Sequence, residues 1–453
     1  MDRDADPEMR TGITRGTWKI EFSEYKIPSH KVEPRIKMPP VLNGPLSLPS
    51  LLLLPPPPSP ATAALLSAAY RPSISATVSS LRELPTASQL LVVLPCPSLH
   101  GQLNRPRCQI YEEVQKLLGG VYSLICIVCA KLGIDVEAGT PGSIDARIVL
   151  LDYSSSSTPS REHVTPSTAL MAGPITDLPT LATTRRQWNR VFSVEGEEGQ
   201  EVLANYLNFA KRINPPFLGH VELISGGISM IQKHETYAQV EAESSASHKV
   251  VAVGGTFDHL HAGHKLLLTA TALLLQPDVT ATPVNKRLIV GITGDQLLKN
   301  KKYAEYLGSW HTRQEEVVDF LLSVLSFTRS SREEATQVTT FNDPCPNGRA
   351  IHTHIRACST TIECVEIQDP FGPTITDESV TALVVSGETR SGGQAVNEKR
   401  LEKGWKALEV FEVDVLDAEG TEGASGKTED FASKISSTAI RKRRAEIART
   451  SSL

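Results

Sequence analysis

The chain has 453 residues, room for two or three domains, and its 40% apolar content is ordinary for a soluble globular protein. With 46 basic and 51 acidic residues its formal charge is -5, which excludes a global attraction to nucleic acid or an anionic membrane, so any anion site must be local. Seven scattered cysteines, and a start MDRDADPEMR with no basic stretch leading into an apolar one, argue against a disulfide-built secreted protein and for a reducing, cytoplasmic compartment.

Residues 1–48 mix charge and proline without periodic pattern and are expected to form a disordered lead-in. LLLL at Leu51–Leu54 runs straight into four prolines and is no membrane anchor. From 49 to 235 apolar and amphipathic runs alternate. QLLVVLPCP and ARIVLLDY read as buried strands, IYEEVQKLLGGVYSLICIVCAKLG and GQEVLANYLNFAKRI as helices, giving an α/β domain without a recognisable catalytic constellation. The apolar window Val121–Ile134 contains Lys131 and is too short to span a bilayer. Cys126 and Cys129 lack a second pair at zinc spacing and fall in a helical apolar pattern, so they read as core cysteines. The Ser/Thr/Pro-rich stretch from Ser154 to about Thr184 reads as a mobile surface loop. Residues 236–248, containing the polar QVEAESSASH, are expected to be a linker crossed by few contacts.

The 249–453 region alternates again. Strand KVVAVGG is followed by a helix from about His261 to Leu275, strand RLIVGIT, helix TRQEEVVDFLLSVLSF, strands IECVEIQD and TALVVSG, helix GGQAVNEKRLEKG, strand ALEVFEVDVL and a last helix opening at Ser437. The alternation predicts a Rossmann-like, doubly wound parallel sheet that binds ligands outside its strand C-termini. GTEGASGKT (Gly420–Thr428) ends like a P-loop, but Thr421 stands where glycine is needed, and the run reads as a flexible insertion.

The stretch VAVGGTFDHLHAGHK lies at one of those strand ends. Gly254 and Gly255 allow a sharp turn and close approach to a ligand, and the following helix aims unpaired N–H groups at the same place. His261 and His264, three apart, project from one face of the first turn, where two imidazole donors could hold phosphate oxygens. The alternatives are capping or surface histidines, and a zinc site for which Asp258 is the one further ligand the spacing offers. ISST puts Ser436, Ser437 and Thr438 at a helix N-terminus with Arg441 one turn on, a phosphate site or an ordinary cap. In KNKK, Lys301 and Lys302 could neutralise a phosphate or be solvated. Of RKRR (441–444), Arg441 is expected to face inward and the rest solvent, with a nuclear-import patch as the alternative.

GGTFDHLHAGH resembles the GxFDxxHxGH signature of the nucleotidyltransferase superfamily, and VGGTFDHLHAGHKLLL is similar to the eukaryotic type of pantetheine-phosphate adenylyltransferase. VGITGDQLLKNKKYAEYL, IQDPFGPT, ALVVSGET and KISSTAIR follow in the family's order, so the resemblance spans about Lys249 to Arg444. It implies in-line attack of the phosphate of 4'-phosphopantetheine on the α-phosphorus of ATP, giving dephospho-coenzyme A and pyrophosphate. It implies His264 on the α-phosphate, His261 beside it, Lys301 or Lys302 between the two ligands, and Thr256, Asp258, Gly254 and Gly255 on the pantetheine substrate. Gly387, Glu388, Ser436, Ser437, Thr438 and Arg441 would bind ATP, with Mg²⁺ bridging phosphates through few protein ligands. Arg390 is displaced from the arginine pattern of bacterial relatives, and a second insertion at roughly Ser330–Ala350 borders the pantetheine side. The sequence stops soon after ISSTAIR, so no following P-loop kinase domain is expected. The competing readings are a cytidylyltransferase for a phosphorylated alcohol, disfavoured by KISSTAIR, and a scaffold whose amino-terminal domain docks coenzyme A-pathway proteins.

Overall fold

A computed structural model describes residues 48–100, 105–136, 140–154, 174–184, 187–211, 220–228, 246–276, 284–328, 330–343, 345, 347–414, 416 and 436–450. The expected lead-in through residue 47, residues 155–173 of the expected loop, linker residues 236–245 and the Gly420–Thr428 insertion lie outside these residues.

The first sheet holds β1 (Ser50–Leu53), β2 (Ser88–Cys96), β3 (Ile144–Asp152), β4 (Ile175–Asp177), β5 (Arg190–Val194) and β6 (His220–Ile224), in the order β4-β3-β2-β1-β5-β6. Every pairing is parallel. Helices α1 (Ala63–Arg82) and α2 (Cys108–Leu132) are the crossovers from β1 to β2 and β2 to β3, while α3 (Leu178–Thr183) follows β4 and α4 (Glu197–Ala210) joins β5 to β6. Right-handed crossovers place α1 and α2 on one face and α4 on the other. LLLL is therefore the central strand: Leu51, Leu52 and Leu53 are all fully buried, because a parallel strand covered on both faces needs an unbroken apolar run. The expectation of a mobile loop to Thr184 is overturned for its last part, since residues 174–184 contribute β4 and α3, with Ile175 and Leu181 in the core.

Helix α1 carries Pro72 in its interior, which removes the amide that would bond the Ala68 carbonyl. The backbone N–H of Ile228 donates to that carbonyl instead, at 3.2 Å. The approach is possible only beside Gly227, where a Cβ would stand 2.0 Å from the Ala68 oxygen.

The second sheet is built from β7 (Val250–Gly255), β8 (Lys286–Thr293), β9 (Thr336–Asn342), β10 (Arg349–Ile355), β11 (Thr360–Ile367), β12 (Ala382–Ser386) and β13 (Glu409–Val413), in the order β13-β12-β7-β8-β11-β10-β9. The parallel part, β11-β8-β7-β12-β13, is a doubly wound sheet whose order reverses at β7. Helices α5 (Ala262–Leu273) and α6 (Trp310–Leu325) cover one face, α8 (Arg390–Glu402) the other, and α9 (Ser437–Thr450) closes the chain. The stretch expected as an insertion near Ser330–Ala350 folds as the short helix α7 (Arg332–Ala335), β9 and the start of β10, which extend the sheet antiparallel from β11.

The two sheets are not joined by few contacts, as the polar stretch before 248 suggested. Helix α2 lies between the first sheet and α5, and residues of both halves, Leu118 and Val121 with Leu266 and Leu268, share one core. Gly119 faces Leu266 across that seam. This explains why α2, longer than the window read from sequence, is the one helix among the described residues long and apolar enough to cross a membrane: both its sides meet protein. Cys126 and Cys129 are buried in it, and burial pushes both thiols up to about 12.

Candidate active site

The site is built where β7 ends. Neither glycine of the pair has a left-handed backbone; that conformation belongs to Phe257 (φ 49°) and His259 (φ 50°), on either side of Asp258. The sharp turn is thus made by residues that adopt this region at a cost, which the surroundings must over-determine. Phe257 is fully buried, and a Cβ on Gly255 would stand 3.1 Å from its ring. Gly254 has open space on its Cβ side.

Asp258 was expected to touch substrate, and Arg441 ATP; the structure gives them to each other. Their side chains are 0% and 3% exposed and form an ion pair. Arg441 also donates to the Lys302 carbonyl (3.0 Å) and to Thr438 Oγ1 (3.1 Å), and Ser437 Oγ donates to the Asp258 carbonyl at 2.8 Å. A carboxylate fully removed from water needs such a partner, and the pair ties α9 to the strained turn. Ser436 caps α9, accepting from the Ala439 N–H at 3.3 Å, so its cap reading holds in this state. Lys301 and Lys302 are both exposed. Of the rest of RKRR, Arg443 is not simply solvated: it pairs with Asp135, which follows α2.

His261 is the N-cap of α5 and makes no side-chain cap hydrogen bond; His264 sits in the first turn. Their rings stack with centroids 3.9 Å apart at 24°, and the Phe257 ring lies 5.4 Å from His264. Burial pushes the His264 imidazole down to about 4, with Asp258 opposing, and drives His261 well below its ordinary value, helped by His264 and Lys265. Both rings are thus neutral at pH 7. Nδ1 of each is buried without a hydrogen-bond partner, the signature of polar atoms that a ligand satisfies. His259, in contrast, is anchored, its Nε2 2.9 Å from the Tyr306 carbonyl.

Arg313 on α6 escaped the sequence reading. It is fully buried and donates to the Thr256 carbonyl at 2.6 Å, the Thr293 carbonyl at 2.8 Å, the Gly308 carbonyl at 2.9 Å and Asp295 at 2.7 Å, fixing the loops after β7 and β8 together. The signal was available: an arginine on the apolar face of an amphipathic helix must find partners. Thr256 itself is half-buried. A pocket of about 390 Å³ opens beside Gly254 and Gly255, walled by Ile289, Ile367, Phe371 and Val385 and reached by Glu388 and Thr389. Gly387 opens the turn after β12, and Asp369 accepts the Phe371 and Gly372 N–H groups (2.8 and 2.7 Å) to shape the opposite wall. Arg390 is held in two 2.6 Å hydrogen bonds to Glu412 at the pocket's outer edge.

Residues 252–443 match the cytidylyltransferase-like family model, and residues 38–230 match a domain family of unknown function. An uncharacterized protein of Schizosaccharomyces pombe is 33% identical over 263 residues, 58% of this chain and 66% of that one. Phosphopantetheine adenylyltransferase of Saccharomyces cerevisiae is 34% identical over 194 residues, 43% of this chain and 48% of that one. Phosphopantetheine adenylyltransferase of Pyrococcus abyssi is 30% identical over 168 residues, 37% of this chain and 80% of that one. The chain belongs to the phosphopantetheine adenylyltransferase-like nucleotidyltransferases. It spans about two thirds of the fission-yeast relative and about half of the budding-yeast one. The nucleotidyltransferase match begins inside β7 and ends in α9, so it encloses the stacked histidines, the Asp258–Arg441 pair and the pocket, and leaves the first sheet outside.

Proposed function

We propose that the chain transfers the adenylyl group of ATP to 4'-phosphopantetheine, giving dephospho-coenzyme A and pyrophosphate. The observation that carries the reading is the pair of stacked imidazoles with unpartnered Nδ1 atoms at the start of α5. A phosphate oxygen of 4'-phosphopantetheine attacks the α-phosphorus, the bond to the bridging oxygen of the β-phosphate breaks, and pyrophosphate leaves with that electron pair. The nucleophile is already ionised at neutral pH, so the protein's task is orientation and stabilisation of charge on the transferring phosphoryl group. His264 and His261 donate N–H bonds to its oxygens, and the pocket at Glu388 receives the adenosine.

Lys301 and Lys302, exposed beside Arg441's loop contact, would fold onto the phosphates, while the hydroxyls of Ser437 and Thr438, held here by the Asp258 carbonyl and Arg441, would have to exchange those partners to reach the β- and γ-phosphates. Mg²⁺ would arrive as the ATP complex, bound chiefly by phosphate oxygens. The test is pyrophosphate release by the purified full chain from ATP, Mg²⁺ and 4'-phosphopantetheine, with CTP and phosphoethanolamine as the control. Release with the second pair alone overturns the assignment in favour of a cytidylyltransferase.

A further inference from the structure

Lys265 follows His264 directly, yet it is 4% exposed and turns away from the imidazoles into the seam between the two sheets. There its ammonium pairs with Asp145, a residue of β3 in the first sheet. Asp145 also accepts from Arg147 Nε at 3.0 Å and Nη2 at 2.7 Å, and Arg147 Nη2 donates on to Asp319 of α6 at 2.8 Å. Burial alone would raise the Asp145 carboxyl; Arg147 and Lys265 reverse this and hold it well below the usual carboxylate range. One buried carboxylate thus joins α5, which carries His264, to α6, which carries the loop-fixing Arg313.

Packing does not require charge here. Apolar residues of similar volume would fill the seam at equal or lower cost, because two desolvated ions seldom recover their hydration. What the ion pair adds is direction. Successive helical residues are about 100° apart around the axis, so fixing the Lys265 ammonium fixes the azimuth at which His264 faces the end of β7. A displacement of about 1 Å in a positioned group can cost about 10² in rate.

We infer that Asp145 is a positioning residue: the amino-terminal sheet sets the orientation of α5 through Lys265, and so places His264 for phosphoryl chemistry. This rests on the proposed adenylyl transfer, and it gives the first sheet a part in the active centre.

The test compares Lys265→Met, Asp145→Asn and the double variant in the full chain. Lys265→Met keeps the stem and leaves Arg147 to neutralise Asp145, so it folds; kcat is expected to fall about tenfold with both KM values within threefold. Asp145→Asn retains an acceptor for the ammonium and falls less, and the double variant is no worse than Lys265→Met, since both act through one contact. Unchanged kcat in Lys265→Met, or losses that multiply in the double variant, overturns the inference. Histidine-labelled NMR supplies an arm independent of turnover: the His264 resonance shifts in both single variants, and an unmoved resonance also overturns it. An unsubstituted chain that releases no pyrophosphate defeats the proposed function, while the NMR arm still judges the positioning.

Discussion

Each sheet begins with a central strand, a short loop and a helix, and the two loops are opposites. After β1 the chain runs through Pro55, Pro56, Pro57 and Pro58, which have no N–H to offer. The Pro55 carbonyl accepts the Tyr70 hydroxyl at 2.8 Å, and α1 is capped by Thr62, which accepts from the Leu65 N–H at 3.4 Å. After β7 the chain uses two left-handed non-glycine residues, a fully buried carboxylate and a histidine cap with no cap bond. The same architecture is locally satisfied in one copy and left with unpartnered nitrogens in the other. Fold alone therefore locates no chemistry; what marks the second loop is that its unpartnered atoms belong to two imidazoles stacked on each other.

The largest effect should come from cutting what holds the strained loop. Asp258→Ala leaves Arg441 buried without its counter-charge, and removal of one partner of a buried pair costs about 3–5 kcal/mol. Denaturant unfolding should show that loss. Wild-type stability in this variant would mean that the loop of the second sheet is as self-sufficient as that of the first.

His264→Ala should cut kcat by about 10²–10³-fold, the usual cost of one transition-state donor, with the ATP KM changing only a few-fold. It should also change the pH dependence of stability. An unfolded histidine titrates near about 6.5, and burial holds His264 near about 4 in the fold. Between these values the unfolded chain binds the extra proton. His264 therefore adds a contribution fully present above pH about 6.5 and lost as pH falls through about 4. Thermal melts of His264→Ala should show a flatter decline across that window than the parent chain.

Much of this contrast could be read from residues alone, and the exceptions have physical reasons. The parallel strands from KVVAVGG onward and the histidine loop were legible because apolar period and turn chemistry agree there, whereas the antiparallel β9 and β10, with an almost wholly exposed β9, were not. Leu51–Leu54 was not, since an apolar run that stops in prolines carries no period, and burial on both faces is a property of its neighbours. Helix α1 was obscured by Pro72, whose compensation at Ile228 lies far along the chain. Arg441 could be expected to face inward from helix geometry, but not its pairing with Asp258, because an ion pair between distant segments leaves no local mark. Lys265 was hidden in the same way, because its partner belongs to another sheet.

In the first sheet the largest local effect should be at Gly227. A methyl there meets the carbonyls of Ala68 and Ala69, at 2.0 and 2.5 Å from the ideal Cβ, and backbone cannot swing aside as a side chain can. Gly227→Ala should cost about 1–3 kcal/mol, the range for forcing extra volume into a packed site. The loss should appear in the unfolding midpoint, with kcat of the folded protein near the parent value; a fall in kcat beyond the folded fraction would tie this edge of the first sheet to the chemistry.

The smallest effect is the one that most directly contrasts the loops. Pro56→Ala adds an N–H to the half-buried turn after β1, the loop that corresponds to the histidine loop of the second sheet. If parallel-sheet geometry and helix polarity were enough to make an anion site, the added donor should create pyrophosphate affinity there. If the site instead requires imidazoles held unsatisfied by a strained turn, the variant should lose only about 0.4–1 kcal/mol, through the freer unfolded chain. ATP KM and kcat should then stay within twofold. Isothermal titration with pyrophosphate decides between them: a second binding event in Pro56→Ala, absent from the parent chain, would show that the two loops differ in donors alone.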